Sequence, residues 1–217
     1  MKRILDIYAD SHPASQWLKS IVGIGPVIAA GLMANIDPQR AKSPASIWRL
    51  AGLDPSSTWN KGEVRPWNAR LKTLCWHAGQ SFMKFSGKED CFYGHLYRRH
   101  KEQIIATNEA GVYAEYAEER KERVGKSTEA YKAYAAGKLP PGQVDARARR
   151  FAVKRFLSDF YLVARWISDG RVTRLPYAIE FGIGAEHSYG ISPTLPEELK
   201  LALVAKLKEA KVPYYFE

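Results

Sequence analysis

The spacing of apolar and polar positions predicts helices, and its most regular part lies near the N-terminus. Two apolar stretches with helical spacing fill residues 16–36 and flank a turn of Gly23, Ile24, Gly25 and Pro26. Glycine tolerates positive φ, so both glycines are expected to take that conformation on either side of a buried isoleucine. Proline suits the first position of the second helix, where an N–H would have no partner. This pattern predicts a helix-hairpin-helix.

Further helices are predicted along most of the chain, and no strand pattern supports a sheet. The predicted spans are 44–50, 68–85, 92–123 as one long or two shorter helices, about 143–167 and 197–211. Turn formers predict a loop or small hairpin over 54–67, and residues 169–195 are expected to be irregular. We therefore predict an all-α fold, with the helix-hairpin-helix packed in a multi-helix domain and an irregular C-terminal segment.

The predicted organisation has three parts. Residues 1–14 form a lead-in with one helical turn, residues 15–167 form the helical domain, and residues 168–217 form an irregular tail with a final amphipathic helix.

Charge narrows the choice of partner. The 217 residues include 33 Lys and Arg against 23 Asp and Glu, which gives a formal net charge of +10. A basic excess of this size favours nucleic acid first and an anionic membrane second. The sequence lacks an apolar run of about 18 residues and the apolar core of a signal peptide, so a cytoplasmic protein with no membrane partner is expected. The two cysteines provide no disulfide framework.

The candidates for nucleic-acid contacts are backbone groups at a helix start and cations on two further segments. Helix N-termini bind anions, and cations neutralise phosphates without reading sequence. The predicted binding residues are Gly23, Ile24, Gly25, Val27, Lys61, Arg65, Arg70, Lys72, Arg147, Arg150, Lys154 and Arg155.

Four tryptophans lie among these cations, and their expected roles differ. Trp59 and Trp67 fall in the loop, where stacking on bases and anchoring of the loop to the core are both open interpretations. Trp48 and Trp76 fall on apolar helix faces and are predicted to lie in the core.

Thiol and imidazole groups offer zinc ligands, but their spacing is irregular. They are Cys75, His77, Cys91, His95 and His100. Because Cys75 falls on an apolar helix face, buried cysteines and surface histidines are the favoured interpretation. No metal site and no cofactor is therefore predicted.

Four motifs, in this order, resemble the C-terminal domain of a family of bacterial insertion-sequence transposases. They are Gly23-Ile-Gly-Pro26, Trp48-Arg-Leu-Ala-Gly-Leu-Asp-Pro55, Asn68-Ala-Arg-Leu-Lys-Thr-Leu74 and the basic stretch from Ala146 to Leu157. The similarity covers roughly residues 15–165, with gaps. It implies a helical domain that contains a helix-hairpin-helix and recombines DNA with a serine nucleophile, guided by a structured RNA. It also implies pairing with an N-terminal RNase H-like domain that carries acidic metal ligands.

Two departures from the family pattern bear on catalysis. The chain starts just before the hairpin, so the acidic domain is not expected in it. Where the family has its Ser-Gly step, this sequence has Lys61-Gly62, and Ser56 and Ser57 lie nearby but out of register. A serine nucleophile needs activation by a base or a metal, and no such partner is evident at this spacing.

Three hypotheses follow. The favoured one is a transposase-related protein that grips the backbone of nucleic acid, double-stranded DNA in particular, without complete catalytic machinery. The second is an active recombinase subunit that uses Ser56 or Ser57 and depends on a separate metal-bearing partner. The third is a structural protein of a mobile element or virus that assembles as a homo-oligomer.

Overall fold

Helices dominate the fold, and the predicted all-α class is confirmed. The computed structural model describes residues 2–170, 172 and 189–217. In chain order its elements are α1 (Lys2–Asp10), α2 (Ser15–Ser20), α3 (Pro26–Asn35), α4 (Pro44–Leu50), α5 (Ala69–Lys84), α6 (Phe92–Glu109), α7 (Ala114–Lys121), α8 (Glu129–Ala135), α9 (Pro141–Asp169), β1 (Tyr189–Ile191), α10 (Glu197–Glu209) and β2 (Tyr214–Phe216).

Helix α9, with 29 residues, runs through the core. It begins at Pro141, whose fixed φ suits a first helical position, and its C-cap Gly170 has a φ of 65°. Helices α4, α5 and α6 pack around it. The inner face of this helix is buried, and its apolar members are Val144, Ala148, Ala152, Val153, Phe156, Leu157, Phe160, Leu162 and Val163.

An aromatic cluster joins four of these helices. Trp17 of α2 stacks on Phe156 of α9 at a ring-centroid distance of 5.9 Å. Phe82 of α5 and Tyr93 of α6 meet the same ring edge-on, at 5.4 and 5.3 Å. Offset and edge-on aromatic pairs are favourable beyond the area that they bury. The cluster therefore fixes the N-terminal hairpin to the central helix.

The C-terminal residues join the same core through a buried ionic network. Asp159 is fully buried and accepts hydrogen bonds from the Tyr93 hydroxyl at 2.8 Å and from Arg155 Nε at 3.1 Å. Burial raises the pKa of Asp159, and the charge of Arg155 opposes that shift. Arg155 also donates to Gly190 O at 2.6 Å and pairs with Glu217 at 3.2 Å. This network fastens both short strands to α9.

The charged segment 92–123 forms two shorter helices, one of the two predicted alternatives, because the chain breaks at Gly111, which has a φ of 78°. The structure corrects two other expectations about secondary structure. The lead-in contains a nine-residue helix rather than one turn. Strands β1 and β2 form a small parallel sheet, with Gly190 opposite Tyr215, although no sheet is predicted from the sequence.

The final amphipathic helix is confirmed, although it ends at Glu209 rather than at residue 211. Leu199, Leu203 and Leu207 on its inner face are fully buried. Most of the stretch predicted to be irregular, residues 171 and 173–188, lies outside the described residues.

Within the described part of the chain, no helix is both long enough and apolar enough to cross a membrane.

Candidate nucleic-acid interface

The turn between α2 and α3 is built around Gly23. Its φ is 93°, and Ser81 Oγ of α5 donates a hydrogen bond to its carbonyl oxygen at 2.6 Å. A Cβ at this position would lie 2.8 Å from the same oxygen atom, Ser81 Oγ. The amide of Ile24 closes the turn by donating to Ile21 O at 2.9 Å, and the Ile24 side chain is buried. The expected positive φ and buried anchor are therefore both present here.

Gly25 behaves differently from Gly23. Its φ of −89° and ψ of 176° are extended, and a Cβ there would meet nothing within 4 Å. The predicted positive φ at Gly25 is wrong, because the turn is already complete before the chain enters α3 at Pro26. Gly25 and Val27 are both exposed, so the start of α3 is open to solvent.

Lys88 is a cation close to this turn that the sequence pattern does not predict there. Lys88 Nζ lies 5.2 Å from the centre of the Phe85 ring, and Phe85 is the second side chain that a Cβ on Gly23 would meet. By contrast, Lys19 on α2 is paired with Asp6 and Asp10 at 2.8 and 2.7 Å. Lys88 is therefore a cation linked through the Phe85 ring to the turn at Gly23, although it lies far from the hairpin in sequence.

The second candidate surface is an open cleft of about 670 Å³ between the loop after α4 and helices α6, α7 and α9, here called the basic cleft. Its lining is rich in cations and aromatic rings. The lining residues are Gly52, Leu53, Asp54, Pro55, Ser57, His100, Ile104, Tyr113, Tyr116, Arg120, Gln143, Arg147, Arg150, Phe151 and Lys154.

Burial and neighbouring charges lower the pKa of two cations in the basic cleft. Burial lowers the pKa of Arg150, and the nearby charge of Arg147 lowers it further. Burial also lowers the pKa of Lys154; Arg150 adds to that effect, while Asp54 opposes it. None of the ion pairs between described residues includes Arg147, Arg150 or Lys154. Such a concentration of positive charge favours an anionic ligand.

Aromatic rings support these cations. The guanidinium of Arg147 lies 4.9 Å from the ring centres of both Tyr113 and Tyr116. Lys154 Nζ lies 5.0 Å from the Trp48 ring centre, and the indole N–H of Trp48 donates to the Lys154 carbonyl oxygen at 3.0 Å. Cation–π contacts of this kind hold the charged groups along the wall of the cleft.

The loop of residues 54–67, here called the tryptophan loop, lies next to the basic cleft. Trp67 packs against Gly52, whose φ is 64°, and Lys72 Nζ lies 4.0 Å from the Trp67 ring centre. Trp59 packs edge-on against Trp67 at a ring-centroid distance of 6.5 Å, and the guanidinium carbon of Arg65 lies 4.9 Å from the Trp59 ring centre. These contacts anchor the loop. They also orient Arg65 and Lys72. Burial lowers the pKa of Lys72, and the charges of Arg150 and Arg65 lower it further.

Two residues, Trp76 and Arg155, do not have the surroundings that their sequence patterns predict. Trp76 is 55 % exposed, so its predicted core position is wrong; it lines a small pocket with Lys72 and Arg150. Arg155 points into the fold, where it binds Asp159 and Glu217. Lys61 is exposed, as is the neighbouring Arg70 on α5.

Helix α5 separates the hairpin from the basic cleft. Leu74 and Ser81 contact α3 and the hairpin, whereas Lys72 and Gly79 face α9. At about 100° per residue these two pairs lie on opposite sides of the helix. The predicted binding residues therefore form two surfaces rather than one.

The two candidate serines have different environments. Ser56 donates its hydroxyl to Asp54 Oδ1 at 2.7 Å, and its amide donates to the same oxygen at 2.9 Å. These hydrogen bonds, together with Arg49 at 3.2 Å, lower the pKa of Asp54, which makes that carboxylate a weak base. Ser57 lines the basic cleft.

The zinc alternative finds no support in the geometry. Burial raises the pKa of Cys75 to about 12. His95 Nε2 lies 2.8 Å from Lys88 O, and His100 stacks on Phe151 at 3.9 Å. The described residues contain no group of three or more His, Cys, Asp or Glu side chains that could hold a metal ion.

Comparison with protein families gives one match. Residues 15–93, which contain the hairpin, α4, the tryptophan loop and α5, match the family model for transposases of the IS116/IS110/IS902 family. This match relates the chain to that transposase family. Neither the curated proteins nor the solved structures gave a significant match.

The two hairpin glycines make a matched pair for a stability test. Gly23→Ala is expected to lower the free energy of unfolding by about 1–3 kcal/mol, because it combines a positive φ with a close contact to Ser81. Gly25→Ala is expected to change it by less than about 0.5 kcal/mol. Urea denaturation followed by circular dichroism measures both values. Equal effects of the two substitutions would contradict this account of the turn.

Proposed function

We propose that this transposase-related protein binds nucleic acid through phosphate contacts, with double-stranded DNA as the favoured partner. The observation that carries the proposal is the set of cations in the basic cleft, Arg147, Arg150 and Lys154, which lie close together without ion-pair partners among the described residues. Phosphate neutralises such charge and releases counterions, which supplies affinity without sequence recognition.

The neighbouring loop extends this surface. Lys72 and Arg65 are held on tryptophan rings beside Arg150, and the exposed Lys61 and Arg70 lie on the same stretch of chain. We assign these four cations to backbone contacts. Arg155 is left out of the interface, because it is engaged with Asp159 and Glu217.

The hairpin supplies a second contact in this proposal. We interpret residues 15–35 as a helix-hairpin-helix whose exposed α3 start, at Gly25 and Val27, presents backbone amides to a phosphate. Lys88 adds a positive charge on the Phe85 ring, which lies against the turn at Gly23. The protein then holds the backbone at two places on opposite sides of α5.

The salt dependence of binding tests the cleft. The triple variant Arg147→Gln, Arg150→Gln, Lys154→Gln removes three cations, so the slope of log K against log salt concentration is expected to become shallower by about 2.7, at about 0.9 per phosphate contact. Fluorescence anisotropy with a labelled duplex measures it. A control variant, Lys126→Gln, Lys132→Gln, Lys208→Gln, removes three exposed cations outside the cleft lining. Equal slopes for the two triple variants would contradict the proposal.

A second candidate function is strand transfer as a subunit of a recombinase. The position of Ser57 in the lining of the basic cleft favours it, because a phosphodiester bound by the cations would lie near that hydroxyl. In such a step Ser57 Oγ attacks phosphorus, one strand oxygen leaves as a hydroxyl, and a covalent phosphoserine link forms. Activation would come from a separate metal-bearing partner.

This candidate predicts a trapped protein–DNA adduct. The protein is incubated with labelled DNA, Mg²⁺ and an extract that contains mobile-element proteins, and adducts are then separated on a denaturing gel. Loss of the adduct in Ser57→Ala, with retention in Ser56→Ala, is the expected result. An adduct that survives both substitutions would exclude these serines as nucleophiles.

A further inference from the structure

Besides its cations, the basic cleft contains aromatic rings, which contacts to a phosphate backbone do not require. His100 and Phe151 form a stacked pair at a centroid distance of 3.9 Å, and 41 % of Phe151 stays exposed. Tyr113 lies in the same lining. Phosphates of a duplex are reached by cations on an open surface, whereas aromatic rings beside cations suit bases that are free to stack.

The size of the basic cleft restricts what can enter it. Its volume of about 670 Å³ equals that of a cube with an edge of about 9 Å, and it falls within the range of about 300–1,000 Å³ typical of pockets that enclose small ligands. The major groove of B-DNA alone is about 12 Å wide. A duplex is wider than this edge and suits the mouth of the cleft, whereas a single strand is narrow enough for the interior.

A further cation also lines the cleft. The guanidinium carbon of Arg120 lies 5.2 Å from the Tyr116 ring centre. Arg120 therefore adds a fourth positive charge to the wall that carries Arg147, Arg150 and Lys154.

We propose that the basic cleft binds an unpaired segment of a nucleic-acid strand. Its phosphates contact Arg147, Arg150 and Lys154, and a base stacks on the His100–Phe151 pair. This inference rests on the proposed function and refines its substrate: the double-stranded DNA favoured there contributes an unpaired segment, such as a strand end, an overhang or a loop, to the cleft. DNA and RNA share the required chemistry, so the test includes both.

The test compares three labelled probes by fluorescence anisotropy: a single strand of 20 nucleotides, the blunt duplex of that sequence, and the duplex with a single-stranded overhang of five nucleotides. Each probe is made in DNA and in RNA, and AMP serves as an unlabelled competitor. The single strand and the overhang duplex are expected to bind at least about tenfold more tightly than the blunt duplex. AMP is expected to compete only weakly, because it offers one phosphate to several cations.

Substitution of the stacking ring supplies the decisive comparison. Phe151→Leu keeps an apolar side chain but removes the ring, and it is expected to weaken single-strand binding by roughly 5- to 150-fold, the range for base–aromatic stacking. Blunt-duplex binding is expected to change less than twofold. Tyr113→Leu is a second variant, and Phe216→Leu, with an exposed ring on β2, is the matched control. Circular dichroism and thermal unfolding establish that each variant is folded.

The outcomes separate this inference from the proposed function. Equal affinity for the three probes, with no selective loss in Phe151→Leu or Tyr113→Leu, overturns the inference and leaves duplex binding in place. Tight AMP binding that a strand does not improve also overturns it, since the cleft is then a nucleotide pocket. Failure to bind any of the nucleic-acid probes overturns both proposals.

Discussion

The close spacing of like charges on one side of α9 is the constraint on which the proposed function depends. Arg147, Arg150 and Lys154 lie three and four residues apart and line one cleft, where burial lowers the pKa of Arg150 and of Lys154, and the charge of Arg147 lowers that of Arg150 further. The helix tolerates this because its other side is buried against α4, α5 and α6. The apolar stripe supplies the stability and thereby leaves the basic side available for a ligand.

The fold separates cations that have structural partners from cations that do not. Arg149 pairs with Asp145 at 2.8 Å, and Arg155 pairs with the buried Asp159. Arg147, Arg150 and Lys154 on the same helix have no such ion-pair partners among the described residues, and they line the basic cleft. Helix α5 makes a second separation, since it carries the hairpin on one side and α9 on the other. In our proposal these two surfaces hold different parts of a nucleic acid.

Sequence periodicity was sufficient to predict most of the helices and the turn at Gly23, because these depend on neighbours within one or two turns, but it did not predict the full length of α1. It was insufficient for Gly25, because two glycines in a turn do not reveal which of them takes the positive φ. It also misplaced Trp76, since a small rotation of the predicted face of α5 moves an aromatic ring from the core to the rim. The sequence does contain a sign of the structural role of Arg155. An aspartate, Asp159, follows four residues later within an apolar run, and this spacing indicates a buried ion pair. Arg120 and Lys88 contact rings only four and three residues away, but their positions in the basic cleft and near the Gly23 turn depend on how distant segments pack, which the sequence pattern does not contain.

The central claim is that nucleic acid occupies the basic cleft, and photo-crosslinking measures this most directly. A DNA strand that carries 5-iodouracil is bound to the protein and irradiated, and crosslinked peptides are identified by mass spectrometry. The account predicts crosslinks in the peptides that contain Tyr113, Tyr116 and Phe151, and their loss in the Arg147→Gln, Arg150→Gln, Lys154→Gln variant. Crosslinks confined to other parts of the chain, or unchanged in that variant, would contradict it.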